Sequence, residues 1–397
     1  MERIILHCDL NNFFASVTLL NNQTLVNMPV AVCGSKKERH GIVLAKNEIA
    51  KKFGVKTAEA IWQAKLKCPD LVTLPPDYPM YEEYSRRVQE IYARYTDKIE
   101  PFGIDECWLD VTGSTMLFGS GEQIANAIRL AVKKELGLTI SVGVSFNKVF
   151  AKLGSDLKKP DAVTVITRQN FKEKIWGLNL GNLIFAGQHT TKKLNEAGIF
   201  TIGDLAAAQD VTLKKLLGKN GLDLKNYALG NDTSPVLDMN ETRIPKSIGH
   251  SVTGENNLTT KEEAWQVILD LSEKISTQLM KQGLYAATVQ LHCRDTELNV
   301  KNISKTLVSP TASATEIAKA AQEILVENYS WELPLRSIGV RAVNLKNTVT
   351  AVQQNLFEDS AKELKKEKVE NSIFLIREKY GNNSLKRATV IEKSKKK

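Results

Sequence analysis

The chain has 397 residues, of which 42% are hydrophobic and 25% are charged, and this composition is ordinary for a globular protein with more than one domain. No apolar run approaches the roughly 18 residues of a membrane span, and the N-terminus lacks the layout of a secretion signal, so we expect no membrane span. The five cysteines show no metal spacing and lie in apolar sequence, which favours reduced core residues of a cytosolic protein. The net charge of +9 suits a polyanionic partner, although most of the excess lies in residues 361–397.

The first part of the chain is predicted to alternate between strands and helices. The elements are, in chain order, a strand over 4–9, an aromatic segment over 12–17, a strand over 28–34, a helix over 46–53, a helix from 80, a hairpin over 99–110, a helix over 124–137 and a strand over 139–144. This order describes an α+β layer in which the end of the first strand and the hairpin turn can lie side by side.

The hairpin carries the most informative residues. Asp105 and Glu106 interrupt apolar sequence on both sides, and Asp9 closes the first strand. An acidic pair in a turn is most often simply solvated, but clustered carboxylates between apolar flanks repel one another unless a cation binds them. Oxygen-only sites suit Mg²⁺ or Mn²⁺, and two such ions can assist a phosphoryl transfer. Adjacent side chains of a straight strand face opposite ways, so both acids reach one site only from a tight turn.

The second half of the chain divides into three predicted parts. Residues 167–233 are lysine-rich and helical, and residues 234–243 have the character of a linker. Residues 246–345 predict the order β-α-β-β-α-β, which is typical of a separate ferredoxin-like domain. From residue 346 onward, order is expected only in a helix around 373–380.

Four motifs stand out by their order and spacing. They are Asp9-Leu10-Asn11-Asn12-Phe13-Phe14-Ala15-Ser16-Val17, Asp105-Glu106-Cys107-Trp108-Leu109-Asp110-Val111, Val142-Gly143-Val144-Ser145-Phe146-Asn147-Lys148 and Lys159-Pro160. Together they resemble the Y-family translesion DNA polymerases, most closely the bacterial DNA polymerase IV (DinB-like) group. Each motif alone is weak, but the set is specific, and the resemblance covers residues 1–358.

The resemblance implies an α+β multidomain fold shaped as a right hand, with a ferredoxin-like palm, small fingers, a helical thumb and a βαββαβ little-finger domain. The implied parts are the palm at 1–10 and 78–166, the fingers at 11–77, the thumb at 167–233, the linker at 234–243, the little finger at 244–345 and a basic tail at 346–397. It implies an error-prone, template-directed DNA polymerase that bypasses lesions and transfers a deoxynucleotide to a primer 3′-hydroxyl.

The resemblance also implies a two-metal catalytic site. Asp9, Asp105 and Glu106 would hold two Mg²⁺ ions, or Mn²⁺ in their place, with the Leu10 carbonyl as a further ligand. One ion would activate the primer 3′-hydroxyl, and the other would neutralise the triphosphate and its leaving group.

The implied nucleotide pocket follows the family only in part. Lys159 matches the triphosphate-binding lysine, and Phe14 matches the aromatic gate that excludes a 2′-hydroxyl, with a core phenylalanine as its alternative. The family often has Thr, Tyr and Arg where this chain has Ala45, Glu48 and Lys51. Lys51 keeps a positive charge for the nucleotide, whereas Glu48 would repel the triphosphate unless it pairs with a neighbouring lysine or faces solvent.

DNA contacts are expected in the thumb and the little finger. The Gly-x-Gly loop of the family's thumb is replaced here by 186–189, Ala-Gly-Gln-His, so Gly187 and His189 are the candidate phosphate-binding residues. Residues 241–345 hold 11 basic and 12 acidic side chains, so DNA binding requires a basic sheet face and acidic helices. The candidate basic residues are Lys246, Arg294, Lys301, Lys305, Arg336 and Arg341.

The segment 353–357, Gln-Gln-Asn-Leu-Phe, resembles the peptide by which bacterial polymerases bind the sliding clamp (the β subunit). Gln353, Leu356 and Phe357 would make that contact. The implied partners are therefore primer–template DNA, dNTPs and the clamp, for a monomer in the cytoplasm that associates with the nucleoid.

Two other functions stay open from the sequence. A catalytically weak homologue would bind primer–template and the clamp as a placeholder, which the departures in the nucleotide pocket and thumb favour and the intact acids oppose. A metal-dependent nuclease would use the same acids, but it would need neither the aromatic gate nor the triphosphate lysine.

Overall fold

The computed structural model describes residues 2–35, 41–239, 241, 244–347, 360–381 and 384–385, without the side chains of 360–368. Among these residues, those up to Glu241 form one unit and those from Ile244 onward form a second. None of the helices in the described ranges has the length and apolar character that crossing a bilayer requires.

The first unit contains strands and helices, which are numbered in chain order. Its strands are β1 (Ile5–Leu10), β2 (Val30–Cys33), β3 (Val43–Lys46), β4 (Val72–Leu74), β5 (Ile99–Pro101), β6 (Glu106–Asp110), β7 (Ile140–Ser145) and β8 (Val163–Val165). Its α-helices are α1 (Phe13–Leu20), α2 (Glu48–Lys52), α3 (Ile61–Lys67), α4 (Tyr78–Tyr92), α5 (Thr115–Phe118), α6 (Gly121–Leu136), α7 (Lys148–Leu157), α8 (Phe171–Ile175), α9 (Gln188–Glu196), α10 (Ile202–Ala207), α11 (Asp210–Leu217) and α12 (Lys219–Ala228).

A five-stranded sheet in the order β5-β6-β1-β7-β8 forms the centre of the first unit. β1 pairs antiparallel with both β6 and β7, which places Asp9 opposite Glu106 on one side and opposite Ser141 on the other. Both faces of β1 are buried, because α4 and α6 cover its even-numbered residues and α7 covers its odd-numbered residues. Asp9 and His7 therefore face α7.

The local signals in the sequence predict most of these elements. The hairpin over 99–110 is present as β5 and β6, and α6 ends at Gly137, whose φ of +68° suits a helix terminus. The helix expected over 46–53 is wrong at its start, because Lys46 still belongs to β3. Asn47 then caps α2 through a hydrogen bond from the Ala50 amide at 2.9 Å.

Two smaller assemblies accompany the central sheet. β2, β3 and β4 form a sheet in the order β3-β2-β4, which shares a separate core with α2 and α3. Helices α8 to α12 form another cluster, which includes apolar side chains of α7. These assemblies correspond in sequence to the fingers and thumb that the resemblance implies, and the exact domain limits stay predictions.

Part of the predicted linker lies against the first unit. Val236 is buried together with Ile5, Trp108 and Ala151. The Leu237 amide donates a hydrogen bond to the Glu100 carboxylate at 3.1 Å. Residues 234–239 are therefore packed against the central sheet, although their composition resembles that of a flexible linker.

The second unit has the predicted β-α-β-β-α-β order, followed by one more helix. Its elements are β9 (Ser247–Leu258), α13 (Lys261–Lys281), β10 (Tyr285–Asp295), β11 (Val300–Thr311), α14 (Ala314–Asn328), β12 (Leu335–Lys346) and α15 (Ser360–Tyr380). The strands form an antiparallel sheet in the order β11-β10-β12-β9, and α13 and α14 pack on one of its faces. The helix expected around 373–380 extends back to Ser360, and Arg377 pairs with Glu273 on α13 at 3.0 Å.

Candidate active site

The three predicted acids lie at one end of the central sheet. Asp9 is near the end of β1, and Glu106 begins β6 directly opposite it. Asp105 belongs to the connection between β5 and β6, where its carbonyl accepts a hydrogen bond from the Leu10 amide at 3.0 Å. This connection turns at Gly103, whose φ of +98° is readily available only to glycine. The turn therefore brings Asp105 beside the Asp9–Glu106 pair.

Burial and neighbouring charges set the ionisation of these acids. Burial raises the pKa of Asp105 to about 6, and the charges of Asp9 and Glu106 add to this effect. Burial acts in the same direction on Glu106, but the neighbouring His7 and Lys152 outweigh it and hold the pKa of Glu106 well below its ordinary value. The acids thus share one electrostatic environment, in which the carboxylate of Asp105 has the least compensation from neighbouring positive charge.

Two lysines neutralise the acids in this structure. Lys152 Nζ lies 3.2 Å from Asp9 Oδ2 and 2.9 Å from Glu106 Oε1. Lys159 Nζ lies 2.7 Å from the same Asp9 oxygen. Both lysines also contact the carboxylate of Asp156, at 3.2 and 2.9 Å. The family motif predicts Lys159 at this site, whereas Lys152 and Asp156 were not predicted from the sequence and are identified by the structure.

Helix α7 carries Lys152 close to the acids because Gly143 lies beneath it. A Cβ atom on Gly143 would come within 1.9 Å of the Ala151 carbonyl oxygen and 2.5 Å of the Ser155 amide nitrogen. Lys152 follows the buried Ala151 and precedes the buried Leu153, so it stands in an apolar run of the helix. Sequence reasoning missed this residue, although a lysine in an apolar run is a signal that could have indicated a buried ion pair.

His7 is a fully buried residue behind the acids. Its Nδ1 lies 2.9 Å from the hydroxyl of Ser155, which donates a hydrogen bond to the Lys152 carbonyl at 2.7 Å. Its Nε2 lies 3.3 Å from Glu106 Oε2, but the two atoms are not aligned as a hydrogen bond. Burial is the largest influence on the pKa of His7 and lowers it, which favours the neutral ring. His7 therefore contacts α7 through Ser155 and lies beside the Glu106 carboxylate.

The residues at this site fit a divalent cation in their chemistry. Among the described residues, no group of three or more His, Cys, Asp or Glu side chains is already arranged around a metal position. Lys152 and Lys159 contact oxygens of Asp9 and Glu106. The donor set consists of carboxylate oxygens. Burial, and after it the charges of Asp9 and Glu106, raise the pKa of Asp105, and a cation would relieve the repulsion among these acids.

Phe14 lies in the first turn of α1, within a cluster of aromatic rings. It is half-buried and stacks on Tyr81, with ring centroids 4.3 Å apart and an interplanar angle of 10°. Its neighbour Phe13 is a core residue, with 3% of its surface exposed. Phe14 is therefore the more accessible ring of the two, and its role as a gate stays a prediction.

Glu48 and Lys51 form an ion pair on α2, with 3.4 Å between Oε1 and Nζ. The same Glu48 oxygen accepts a hydrogen bond from Asn12 Nδ2 at 2.9 Å. Burial raises the pKa of Glu48, but Asn12 and Lys51 outweigh it and bring the pKa below its ordinary value. Glu48 is therefore ionised near neutral pH, and pairing with a neighbouring lysine is the arrangement that the structure shows.

The candidate phosphate site of the thumb lies at the start of α9. Gly187 caps this helix, and His189 is exposed in its first turn. A surface pocket of about 740 Å³ adjoins it, lined in part by Thr191, Lys192 and Asn195. Because the first amides of a helix lack partners within the helix, its N-terminus attracts anions. The role of Gly187 and His189 in binding a phosphate stays a prediction.

The sheet of the second unit has an open face opposite α13 and α14. On β10, the side chains that alternate with the buried Leu291 and Cys293 point to this face, and they include the exposed Arg294. Arg341 is exposed on the neighbouring β12, opposite Gln290 in the ladder. Two candidate basic residues thus lie on one face of the sheet.

The other basic candidates divide between the two sides of the sheet. Lys246 is exposed directly before β9, and Arg336 is half-buried near the start of β12. Lys301 donates to a carbonyl at the end of α14 at 3.2 Å, and Lys305 pairs with Glu323 on α14 at 2.8 Å. The expectation that Lys301 and Lys305 belong to the basic sheet face is therefore wrong, because their side chains cover the helix side.

The candidate clamp-binding residues Gln353, Leu356 and Phe357 lie outside the described residues.

Comparison with known proteins identifies the family. Residues 8–156 match the model of the impB/mucB/samB family, and residues 245–356 match the model of the C-terminal domain of that family. The chain is 49% identical to DNA polymerase IV of Acetivibrio thermocellus over 393 residues, which cover 99% of this chain and 98% of the relative. It is 34% identical to DNA polymerase IV of Clostridium kluyveri over 401 residues, which cover 100% of both chains. The chain belongs to the Y-family DNA polymerases.

A solved structure supports the same assignment. A Y-family DNA polymerase chimera matches with a TM-score of 0.75 and 26% sequence identity, covering 87% of this chain and 100% of that chain. The expected α+β multidomain polymerase fold is therefore confirmed. The chain is a DNA-directed DNA polymerase of the translesion class, and Y-family polymerases generally need a divalent metal. The placeholder and nuclease alternatives are not favoured.

Proposed function

We propose that this polymerase performs a two-metal nucleotidyl transfer in which Asp9, Asp105 and Glu106 hold two Mg²⁺ ions, with the Leu10 carbonyl as a further ligand. The observation that carries the proposal is the pairing of Asp9 and Glu106 across β1 and β6, with Asp105 in the adjoining turn. When bound, the two cations lower the pKa of the primer 3′-hydroxyl and neutralise the triphosphate of the dNTP. Mn²⁺ has similar ligand preferences and is the alternative ion.

The residues around the acids would bind and orient the dNTP. Lys159 is the family's triphosphate lysine, and Lys51 adds a second positive charge from α2. Phe14 would lie against the sugar and leave no room for a 2′-hydroxyl. Its stack on Tyr81 supports this role, since a ring held at 4.3 Å by a buried neighbour forms a rigid boundary.

Primer–template DNA would be held through its phosphates rather than its bases, as suits an enzyme that copies any sequence. Backbone amides at the start of α9 would meet one phosphate, and the open sheet face of the second unit would meet others. The residues proposed to make these contacts are Gly187, His189, Lys246, Arg294, Arg336 and Arg341.

We further infer that residues 353–357 bind the sliding clamp through Gln353, Leu356 and Phe357. Such a tether would keep a monomeric, weakly binding polymerase at the primer end, in the cytoplasm and at the nucleoid.

Primer extension with each dNTP and Mg²⁺ tests the proposed site. We expect the wild-type chain to lengthen the primer and the double variant Asp105→Ala, Glu106→Ala to lose extension by at least about a hundredfold, because a lost ligand costs several kcal/mol of transition-state stabilisation. DNA binding, measured by fluorescence anisotropy, should change little.

The matched control is Asp110→Asn, which alters a carboxylate of the same strand that contacts Arg3 and Thr112 instead of the lysines. It should retain extension. A double variant that extends primers at nearly the wild-type rate would exclude this site. A wild-type enzyme that shortens the primer would support the nuclease, and one that leaves the primer unchanged would support the placeholder.

A further inference from the structure

Lys152 is a lysine that no step of the proposed reaction uses. Only 14% of its side chain is exposed, and its Nζ lies within 3.2 Å of oxygens of Asp9, Glu106 and Asp156. Burying an ammonium group is unfavourable unless carboxylates compensate it, and burying Asp9 and Glu106 side by side is unfavourable without a cation. Lys152 therefore places a positive charge at the oxygens that a divalent ion would bind in the proposed function.

The contacts also identify a second carboxylate for the ammonium group of Lys152. Its ammonium group contacts oxygens of Asp9 and Glu106, the acids that the proposed function assigns to the metals, so it competes with a metal for them. Asp156 lies one helical turn further along α7, with 44% of its side chain exposed. It already contacts both Lys152 and Lys159, so it offers Lys152 a second carboxylate outside the proposed ligand set.

We propose that Lys152 is an internal counter-ion, which neutralises Asp9 and Glu106 while no metal is bound and shifts to Asp156 when the metals bind. The inference rests on the proposed two-metal site and adds a positioning residue to it. Because the ammonium group and the divalent ion oppose each other at one site, removing either should strengthen the binding of the other.

Direct Mn²⁺ binding to the full chain without DNA, followed by the electron paramagnetic resonance signal of free Mn²⁺, tests the proposal. Lys152→Met should bind Mn²⁺ about tenfold more tightly than the wild type, because the ammonium group that contacts both Asp9 and Glu106 is gone and only Lys159 remains on Asp9. Asp156→Asn should bind Mn²⁺ more weakly, because Lys152 then has no alternative carboxylate. The opposite signs of the two effects distinguish competition from general damage.

Lys148→Met is the matched control. Lys148 lies one turn earlier on α7, has 11% of its side chain exposed and pairs with Glu100 at 2.7 Å, away from the proposed ligands. Its replacement should lower the thermal stability of the metal-free chain, as Lys152→Met should, but it should leave the Mn²⁺ affinity unchanged.

Asp105→Ala separates failure of this inference from failure of the proposed function. If the wild type and Asp105→Ala bind Mn²⁺ equally, the proposed metal site is wrong. If Asp105→Ala loses binding while Lys152→Met binds Mn²⁺ as the wild type does, or more weakly, the counter-ion role is overturned. Should Lys152→Met not fold, Asp156→Asn decides alone, since this half-exposed residue tolerates replacement and an unchanged Mn²⁺ affinity would overturn the proposal.

Discussion

At the scale of single residues, the candidate site balances buried charges that come from three elements. Asp9 of β1, Glu106 of β6 and Lys152 of α7 neutralise one another within 3.2 Å. Asp105 is the exception, since burial and the neighbouring acids raise its pKa to about 6. A buried carboxyl group with a raised pKa is typical of functional positions, which favours the predicted role of Asp105 over a structural ion pair.

Phe14→Ala should admit ribonucleotides, because removing the ring opens the space that a 2′-hydroxyl needs. We expect the ratio of kcat/KM for rNTP to that for dNTP to rise by about tenfold or more. The control is Phe13→Ala, which removes a core ring and should cost about 3–5 kcal/mol of stability while leaving the ratio unchanged. An unchanged ratio in Phe14→Ala would show that Phe14 serves only to pack against Tyr81.

Glu48→Gln should lower the KM for dNTP. The pKa of Glu48 lies below its ordinary value, so the side chain is negative at neutral pH and offsets the charge of Lys51. Glutamine can still accept the hydrogen bond from Asn12, but it no longer repels a triphosphate. Lys51→Met should have the opposite effect and raise KM. Steady-state kinetics that show an equal or higher KM for Glu48→Gln would mean that its carboxylate faces away from the nucleotide.

At the scale of elements, the site depends on how closely α7 approaches β7. Gly143→Ala should destabilise the chain by about 1–3 kcal/mol, because the new Cβ meets the backbone of α7 and forces the helix outward. Primer extension should fall as well, since α7 packs against β1 and β6, the strands that carry Asp9 and Glu106. Thermal unfolding and extension assays measure the two effects.

Gly177→Ala is the control for this change, because a Cβ there meets nothing within 4 Å. It should alter stability by no more than about 0.5 kcal/mol. If Gly143→Ala proves as stable and active as Gly177→Ala, α7 moves freely and does not fix the position of the lysine.

At the scale of the whole molecule, part of the positive charge of the C-terminal region lies on the helix α15. Arg377 of α15 pairs with Glu273 of α13, and the Glu370 carboxylate accepts a hydrogen bond from the Ser313 hydroxyl at 2.8 Å. The helix is thus part of the second unit. Six of the twelve basic residues of 361–397 lie beyond Gly381, so a truncation after Gly381 removes half of these basic residues and keeps the helix.

Changing Gln353, Leu356 and Phe357 together to alanine should abolish stimulation by the sliding clamp and leave basal synthesis intact. A docked peptide acts through a local concentration of roughly millimolar, whereas a basic tail acts through phosphates and weakens steeply with salt. Extension with and without clamp, at low and moderate salt, separates the two effects when the truncation after Gly381 is compared. Full stimulation of the triple variant at moderate salt would identify the segment as a chance match.

The sequence by itself determined part of the order of elements and the enzyme class, but it did not predict α3, β4, α7 or β8. Apolar periodicity and glycine positions are local signals, so they were sufficient for the hairpin over 99–110, the end of α6 at Gly137 and the β-α-β-β-α-β order of the second unit. The spacing of the acids and Lys159 was sufficient to identify the family, because the order of motifs is read from the sequence without knowledge of contacts.

Only the tertiary structure decided which charges meet. Lys152 and Asp9 are 143 residues apart in sequence, and no local pattern encodes their contact. The hydrogen bond between Glu48 and Asn12 and the ion pair of Lys305 with α14 also join residues whose contact no local pattern encodes. The register of β1 against β6 and the close packing of α7 on Gly143 bring such partners together. The neighbours of a side chain follow from how the elements pack rather than from the sequence of each element.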